Sequence, residues 1–275
     1  MAIKDKILSY SIAFLLEKII EQNKKCFTIG EAYSLLPNSA KDNVKRMLCN
    51  MTKRGLLMRV KEGLYYVIPF EQDAKTFMPD WHLLVQYLIG DIEYYIGYFS
   101  ALQIHSLPTQ PNLREQIVVS KQIKPSTLFV KEIPFQFIYH NEKHFFGNEK
   151  MWIDSFNRVQ CSDLEKTIID CLFKPEYAGG ITEIAKALYK IKDKIDYSKI
   201  LQFAKRFDSQ AVIKRLGFLL DLLEIKNSMI GELQKLRTNS IVLLEPSYPK
   251  EGKTISRWAI KQNIDTESIL LPIYS

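Results

Sequence analysis

Between Ser39 and Tyr66 an amphipathic helix pattern runs into two short apolar strands around a Lys61-Glu62-Gly63 turn, and that succession constrains the fold more than any other stretch. From Ala40 to Arg54 the apolar positions Val44, Met47, Leu48 and Met51 recur at i, i+3, i+4 and i+7, one helical stripe facing a core. Lys45, Arg46, Cys49, Asn50 and Lys53 fall on the opposite face. Two helical patterns precede it, Ile7 to Glu21 and Gly30 to Leu36; the second stops before Pro37, and Asn38 or Ser39 is placed to cap the third helix. Leu56 to Val60 and Leu64 to Ile68 read as the two strands of a hairpin ended by Pro69. Three helices and a hairpin in this order are the winged form of helix-turn-helix, a module that usually holds DNA.

Charge supports the same expectation. Residues 1–70 carry 12 Lys plus Arg against 6 Asp plus Glu, whereas residues 71–275 carry 26 against 25, so nearly all of the formal +7 sits in the first quarter of the chain. Such concentration points to a polyanionic partner. Lys41, Lys45, Lys53, Arg54, Arg59 and Lys61 are the expected phosphate contacts, which supply affinity and register without reading sequence. Arg46 and Asn50, one turn apart, suit base reading, because Arg pairs with guanine and Asn with adenine through two hydrogen bonds each. The competing account is a winged helix used for protein contact, its charges merely solubilising.

The length predicts about two domains. A polar stretch from Phe70 to Pro79 marks the boundary: residues 1–70 form the winged helix, 71–79 a linker and 80–275 a larger mixed domain, α+β overall. In that second domain helices are expected at Trp81 to Ile89 and Tyr95 to His105. Strands follow at Gln116 to Ser120, Thr127 to Lys131, Phe135 to Tyr139 and around Trp152 to Gln160. Ser162-Asp163-Leu164-Glu165 reads as a capping box opening a helix that buries Leu164, Ile168, Ile169 and Leu172. Further helices are expected at Ile181 to Ile191, Tyr197 to Phe207, Ser209 to Leu223 and Ile230 to Leu236, then a strand at Ile241 to Leu244. Cys26, Cys49, Cys161 and Cys171 lack C-x-x-C or zinc-ligand spacing, so reduced thiols in a cytoplasmic protein are expected. The N-terminal apolar residues are interrupted by charge every few positions, the pattern of neither a signal peptide nor a membrane span.

Several blocks resemble the AbiEi family of antitoxins, which act in type IV toxin-antitoxin systems with nucleotidyltransferase toxins. Tyr94-Tyr95-Ile96-Gly97-Tyr98-Phe99-Ser100-Ala101-Leu102 followed by Ile104-His105-Ser106-Leu107 is similar to the family's Y-x-G-x-x-S-A-L-x-x-H-G-L block, with Ser106 where glycine is usual. Gly63-Leu64-Tyr65-Tyr66, Ser162 to Asp170, Ala178-Gly179-Gly180-Ile181 and Lys214 to Leu220 also resemble it, in order, so that the likeness spans residues 5 to 263. The resemblance implies an antitoxin whose winged helix binds inverted repeats in double-stranded DNA at its own promoter. Its C-terminal domain would neutralise an AbiEii-type toxin without a stable complex.

The sequence leaves two accounts of the C-terminal charges open. Lys205, Arg206, Lys214 and Arg215 form either a second basic patch, for neutralisation or nucleic acid, or ordinary solvated faces. Lys166 and Asp170 read as a surface i to i+4 pair. No catalytic set is expected. His140 and His144 lie in strand and turn, where their spacing does not converge on a metal; no H-E-x-x-H or G-x-S-x-G occurs; and Glu224-Ile225-Lys226 and Glu251-Gly252-Lys253 fall at a helix end and in a loop, unlike a nuclease strand. Neither enzyme activity nor cofactor or metal is expected. A stand-alone regulator with a ligand pocket near residues 94–99 is the alternative, and a metal-dependent nuclease a third class.

Overall fold

The computed structural model describes residues 8–108, 111 and 113–274. The chain is α+β and divides into two compact units at Leu88/Ile89, with Val130–Glu132 grouped with the first. Among the described residues no helix is long and apolar enough to cross a membrane.

In the first unit, helix α1 (Tyr10–Glu21) precedes strand β1 (Cys26–Thr28), helices α2 (Ile29–Leu35) and α3 (Lys41–Lys53), strands β2 (Leu57–Lys61) and β3 (Leu64–Val67), and helix α4 (Trp81–Ile89), all of which but its last residue belongs to this unit. Ile7, expected to begin the first helix, lies outside the described residues. The apolar stripe of α3 is buried as expected: Val44, Leu48 and Met51 join Ile12, Leu15, Leu16, Ile19 and Phe27 in one core. The sheet runs β1-β3-β2, all antiparallel, with Phe27 opposite Tyr65 and Met58 opposite Tyr66. Strand β1 has no periodicity in three residues, and only its distant partner β3 makes it a strand. Its last residue also caps α2. The Thr28 hydroxyl accepts from the Glu31 amide at 3.1 Å, and the Glu31 carboxylate accepts from the Thr28 amide at 2.6 Å. Helix α3 is entered differently from the expectation: its N-cap is Ala40, without a side-chain cap. Gly63, at φ +71°, supplies the left-handed residue that the β2–β3 turn needs.

The second unit contains strand β4 (Tyr94–Ile96), helix α5 (Tyr98–Ile104), and strands β5 (Glu115–Val119), β6 (Thr127–Val130), β7 (Ile133–Tyr139), β8 (Asn148–Trp152) and β9 (Arg158–Ser162). Helices α6 (Leu164–Phe173), α7 (Ile181–Ile191), α8 (Tyr197–Phe207), α9 (Gln210–Leu222) and α10 (Met229–Leu236) follow. The chain ends in strands β10 (Val242–Leu243), β11 (Lys253–Ile255) and β12 (Ile260–Gln262) and helix α11 (Thr266–Tyr274). The large sheet is mixed, in the order β6-β7-β5-β4-β9-β8, and the small one runs β10-β12-β11.

Three expectations are corrected here. Tyr95 and Ile96 belong to a strand, not a helix, because they are held between Val118 of β5 and Cys161 of β9. The segment from Trp152 to Gln160 is two strands, folded back at Asp154. The N-cap of α6 is Asp163, whose carboxylate accepts from the Lys166 amide at 2.8 Å; Ser162 closes β9, and Glu165 turns away to accept from the Asp196 amide and pair with Lys199. The helical core gathers Ile168, Leu172, Leu188, Phe207, Leu216 and Trp258. Gly217 lets that tryptophan in: a Cβ at this position would lie 2.2 Å from its ring.

Candidate nucleic-acid interface

Burying Val44, Leu48 and Met51 forces the remaining positions of α3 into water. Lys41, Lys45, Arg46, Asn50 and Lys53 are all exposed, as is Cys49 between them. Among the described residues none of Lys41, Lys45, Arg46 or Lys53 forms a salt bridge, so their charge is directed outward. The Arg46 guanidinium donates to Asn43 Oδ1 at 2.5 Å, which steadies it on its own helix. The Lys41 ammonium lies 5.7 Å from the Tyr33 ring centroid. On the hairpin, Arg59 is exposed opposite Tyr65. Two of the eight expected contacts are less openly placed. Arg54 is half-buried at the end of α3, and Lys61, although exposed, donates to the Leu88 carbonyl at 2.9 Å. That bond anchors the hairpin to the last turn of α4, where unpaired carbonyls favour a cation.

Of the two accounts left open for Lys205, Arg206, Lys214 and Arg215, neither holds for all four, since only two of them are exposed. Lys205 and Arg206 are exposed on α8; Lys205 lies 3.6 Å from Glu232, and the Arg206 guanidinium sits 4.0 Å from the Phe146 ring centroid. Lys214 and Arg215 are buried instead. Lys214 donates to Thr238 Oγ1, Ser240 Oγ and the Ser240 carbonyl, and burial lowers its pKa. Arg215 donates to the carbonyls of Leu172 and Phe173, capping the end of α6, and twice to that of Leu243. Its pKa, lowered to about 10 by burial, still leaves it charged at neutral pH. These two cations tie α9 from inside to the end of α6, to β10 and to the segment 238–240, which is why the run Lys214-Arg215 fails as a surface signal.

A larger surprise is a sealed polar cluster where β4, β7 and α6 meet. The supposed surface pair Lys166 and Asp170 is fully buried and in contact. Lys166 Nζ donates to the Tyr95 hydroxyl at 2.8 Å, and that hydroxyl donates to Asp170 Oδ2 at 2.9 Å. His140 bridges two tyrosines, with Nε2 2.7 Å from the Tyr98 hydroxyl and Nδ1 3.3 Å from that of Tyr95. Burial, and then the Lys166 charge, push the His140 pKa down to about 2, so the imidazole is neutral. The hydrogen bonds therefore assign Tyr98 as donor to Nε2 and leave the proton on Nδ1. Burial also lowers the Lys166 pKa and raises that of Asp170, while their mutual attraction opposes both shifts. Rings of Tyr95, Phe146 and Phe207 surround the ammonium at 5.0–5.2 Å. The five side chains are at most 2% exposed, so the cluster holds elements together and offers no entry to a substrate.

The blocks that resemble the antitoxin family have structural tasks of the same kind. Gly97 lets β4 approach β5, since a Cβ there would lie 2.8 Å from Val118. Ser100 Oγ accepts from the Gln116 amide at 2.9 Å, and His105 Nε2 lies 2.9 Å from the Ser162 carbonyl. Ser106, where glycine is usual, has φ +58°, a backbone that favours glycine. The four cysteines are free thiols, and among the described residues no group of three or more His, Cys, Asp or Glu side chains is placed to hold a metal.

Comparison with known proteins establishes the fold. No protein-family model and no curated protein matches the sequence. A crystal structure of the RV2827C protein from Mycobacterium tuberculosis superposes with a TM-score of 0.73 at 12% identity, over 98% of this chain and 96% of that one. At that identity the likeness concerns the path of the backbone and carries no activity across.

Proposed function

We propose that the protein is a winged-helix DNA-binding autorepressor joined to an antitoxin domain, as in the AbiEi family that its sequence blocks resemble. The observation that carries this reading is the outward face of α3. Four cations without acid partners flank Asn50 on a helix whose other side is anchored in a core, with the exposed Arg59 on the adjacent hairpin. Such a face supplies phosphate contacts around two side chains, Arg46 and Asn50, that match guanine and adenine. Inverted repeats in the protein's own promoter are the proposed site, and a nucleotidyltransferase toxin encoded beside it the proposed functional partner, in the cytoplasm and without a stable complex.

The test is growth of cells expressing the neighbouring reading frame, with and without this protein, alongside a reporter fused to the shared promoter. Rescue together with repression is the expected result. Absence of toxicity, or toxicity without rescue, would leave only the DNA-binding half of the reading.

A second reading, a stand-alone regulator with a ligand-binding domain, is favoured by one cleft of about 420 Å³ whose lining includes Phe99, Arg114, Gln116, Glu176, Tyr177 and Glu183. A promoter released by a small molecule, with no toxin gene adjoining, would put it first.

A further inference from the structure

The outer face of the β8–β9 hairpin has a construction that the proposed function does not use. Strand β8 is an edge of the large sheet, and its register with β9 sets Lys150 opposite Gln160 and Trp152 opposite Arg158 on one face, Glu149 opposite Cys161 and Met151 opposite Val159 on the other. Cys161 and Val159 are buried, so the first set turns outward. Trp152 is 55% exposed, with the Arg158 guanidinium 3.9 Å from its ring centroid. Beyond them the turn is fixed by the Asp154 carboxylate, which accepts from the amides of Phe156 and Asn157 and from the Asn157 side chain, each at 2.7 Å. This bonded turn holds Phe156 89% exposed. Neither Lys150 nor Arg158 forms a salt bridge among the described residues.

We propose that this face binds single-stranded nucleic acid, bases stacking on Trp152 and Phe156 while Lys150 and Arg158 meet backbone phosphates. Exposed rings interleaved with uncompensated cations form a stacking platform, indifferent to sequence because every base has a π-face. The Arg158 guanidinium covers part of the indole, 3.9 Å from its centroid, so a base stacks on the part of Trp152 that stays exposed while the Arg158 N–H groups reach phosphate. A protein strand adding to β8 is disfavoured by the charges of Glu149 and Lys150 along that edge.

The test is fluorescence anisotropy of the full-length protein with labelled oligo-U RNA and oligo-dT DNA at low salt. Binding by the wild type is expected, weakened about tenfold by Trp152→Ala and again by Phe156→Ser, with the same proportional losses when both are made in a Lys45→Ala, Lys53→Ala background. The two oligonucleotides show whether RNA or DNA is preferred. Phe156 lies outside the core, so its variant keeps the fold, as circular dichroism will verify. No binding by the wild type, or binding lost only in the α3 variant, overturns the proposal. Capture of the neighbouring toxin that Trp152→Ala abolishes, with no oligonucleotide bound, assigns the face to a protein and overturns it too.

Discussion

Lys166 and Asp170 sit one helical turn apart, a spacing that on a surface stabilises by only a few tenths of a kcal/mol. Buried, the same pair is governed by desolvation: each charge is tolerable only while the other is present. Asp170→Asn alone or Lys166→Met alone should cost about 3–5 kcal/mol in urea unfolding, and the double variant clearly less than the sum; additive losses would show that the charges do not depend on each other. His140 gives a pH signature. Its folded pKa is about 2 and its unfolded value near 6.5, so the unfolded chain takes up the proton first. Its contribution to stability is therefore complete above about 6.5 and lost progressively as pH falls below that. Unfolding midpoints should drop from pH 7 to pH 5, less so in His140→Gln, and the His140 ring should show no NMR titration near pH 6.5.

Among the elements, α3 divides its labour between two faces, and its outer face makes separable predictions. Arg46→Ala should cost about 1–3 kcal/mol on the operator and relax base preference at one position. Lys53→Ala should weaken all duplexes alike. Equal losses from both variants on random DNA would sink this assignment of roles. Lys61 is expected to contribute less to this affinity than Lys53, because its ammonium already donates to the Leu88 carbonyl. The long helices were legible in the sequence: α7 and α8 have the expected ends, because eleven residues carry a full amphipathic period and Asp196 marks the start of α8. Strands β1 and β4 were not, since three residues hold no period and distant partners decide their conformation. The site was legible to the same degree. The outward set on α3 follows from its stripe, whereas nothing local shows that His140 meets Tyr95 and Tyr98.

For the whole molecule, the uneven charge makes a prediction of its own. The formal +7 is concentrated in residues 1–70, and Lys41, Lys45, Lys53 and Arg59 of that segment are exposed. If these four meet phosphates, the logarithm of the binding constant should fall against that of salt concentration with a slope of about −4 per protomer. A slope near zero would count against the nucleic-acid reading altogether. The sequence by itself determined the α+β class, the helical periods and the charged face of α3, because these depend on the spacing of apolar residues and on which side remains for water. Only the tertiary structure decided which charges are surface. Lys214 and Arg215 look like a patch and Lys166 with Asp170 like a solvated pair, yet all four are buried, and Tyr95, Ser240, Leu172 and Leu243, far off in sequence, complete their hydrogen bonds.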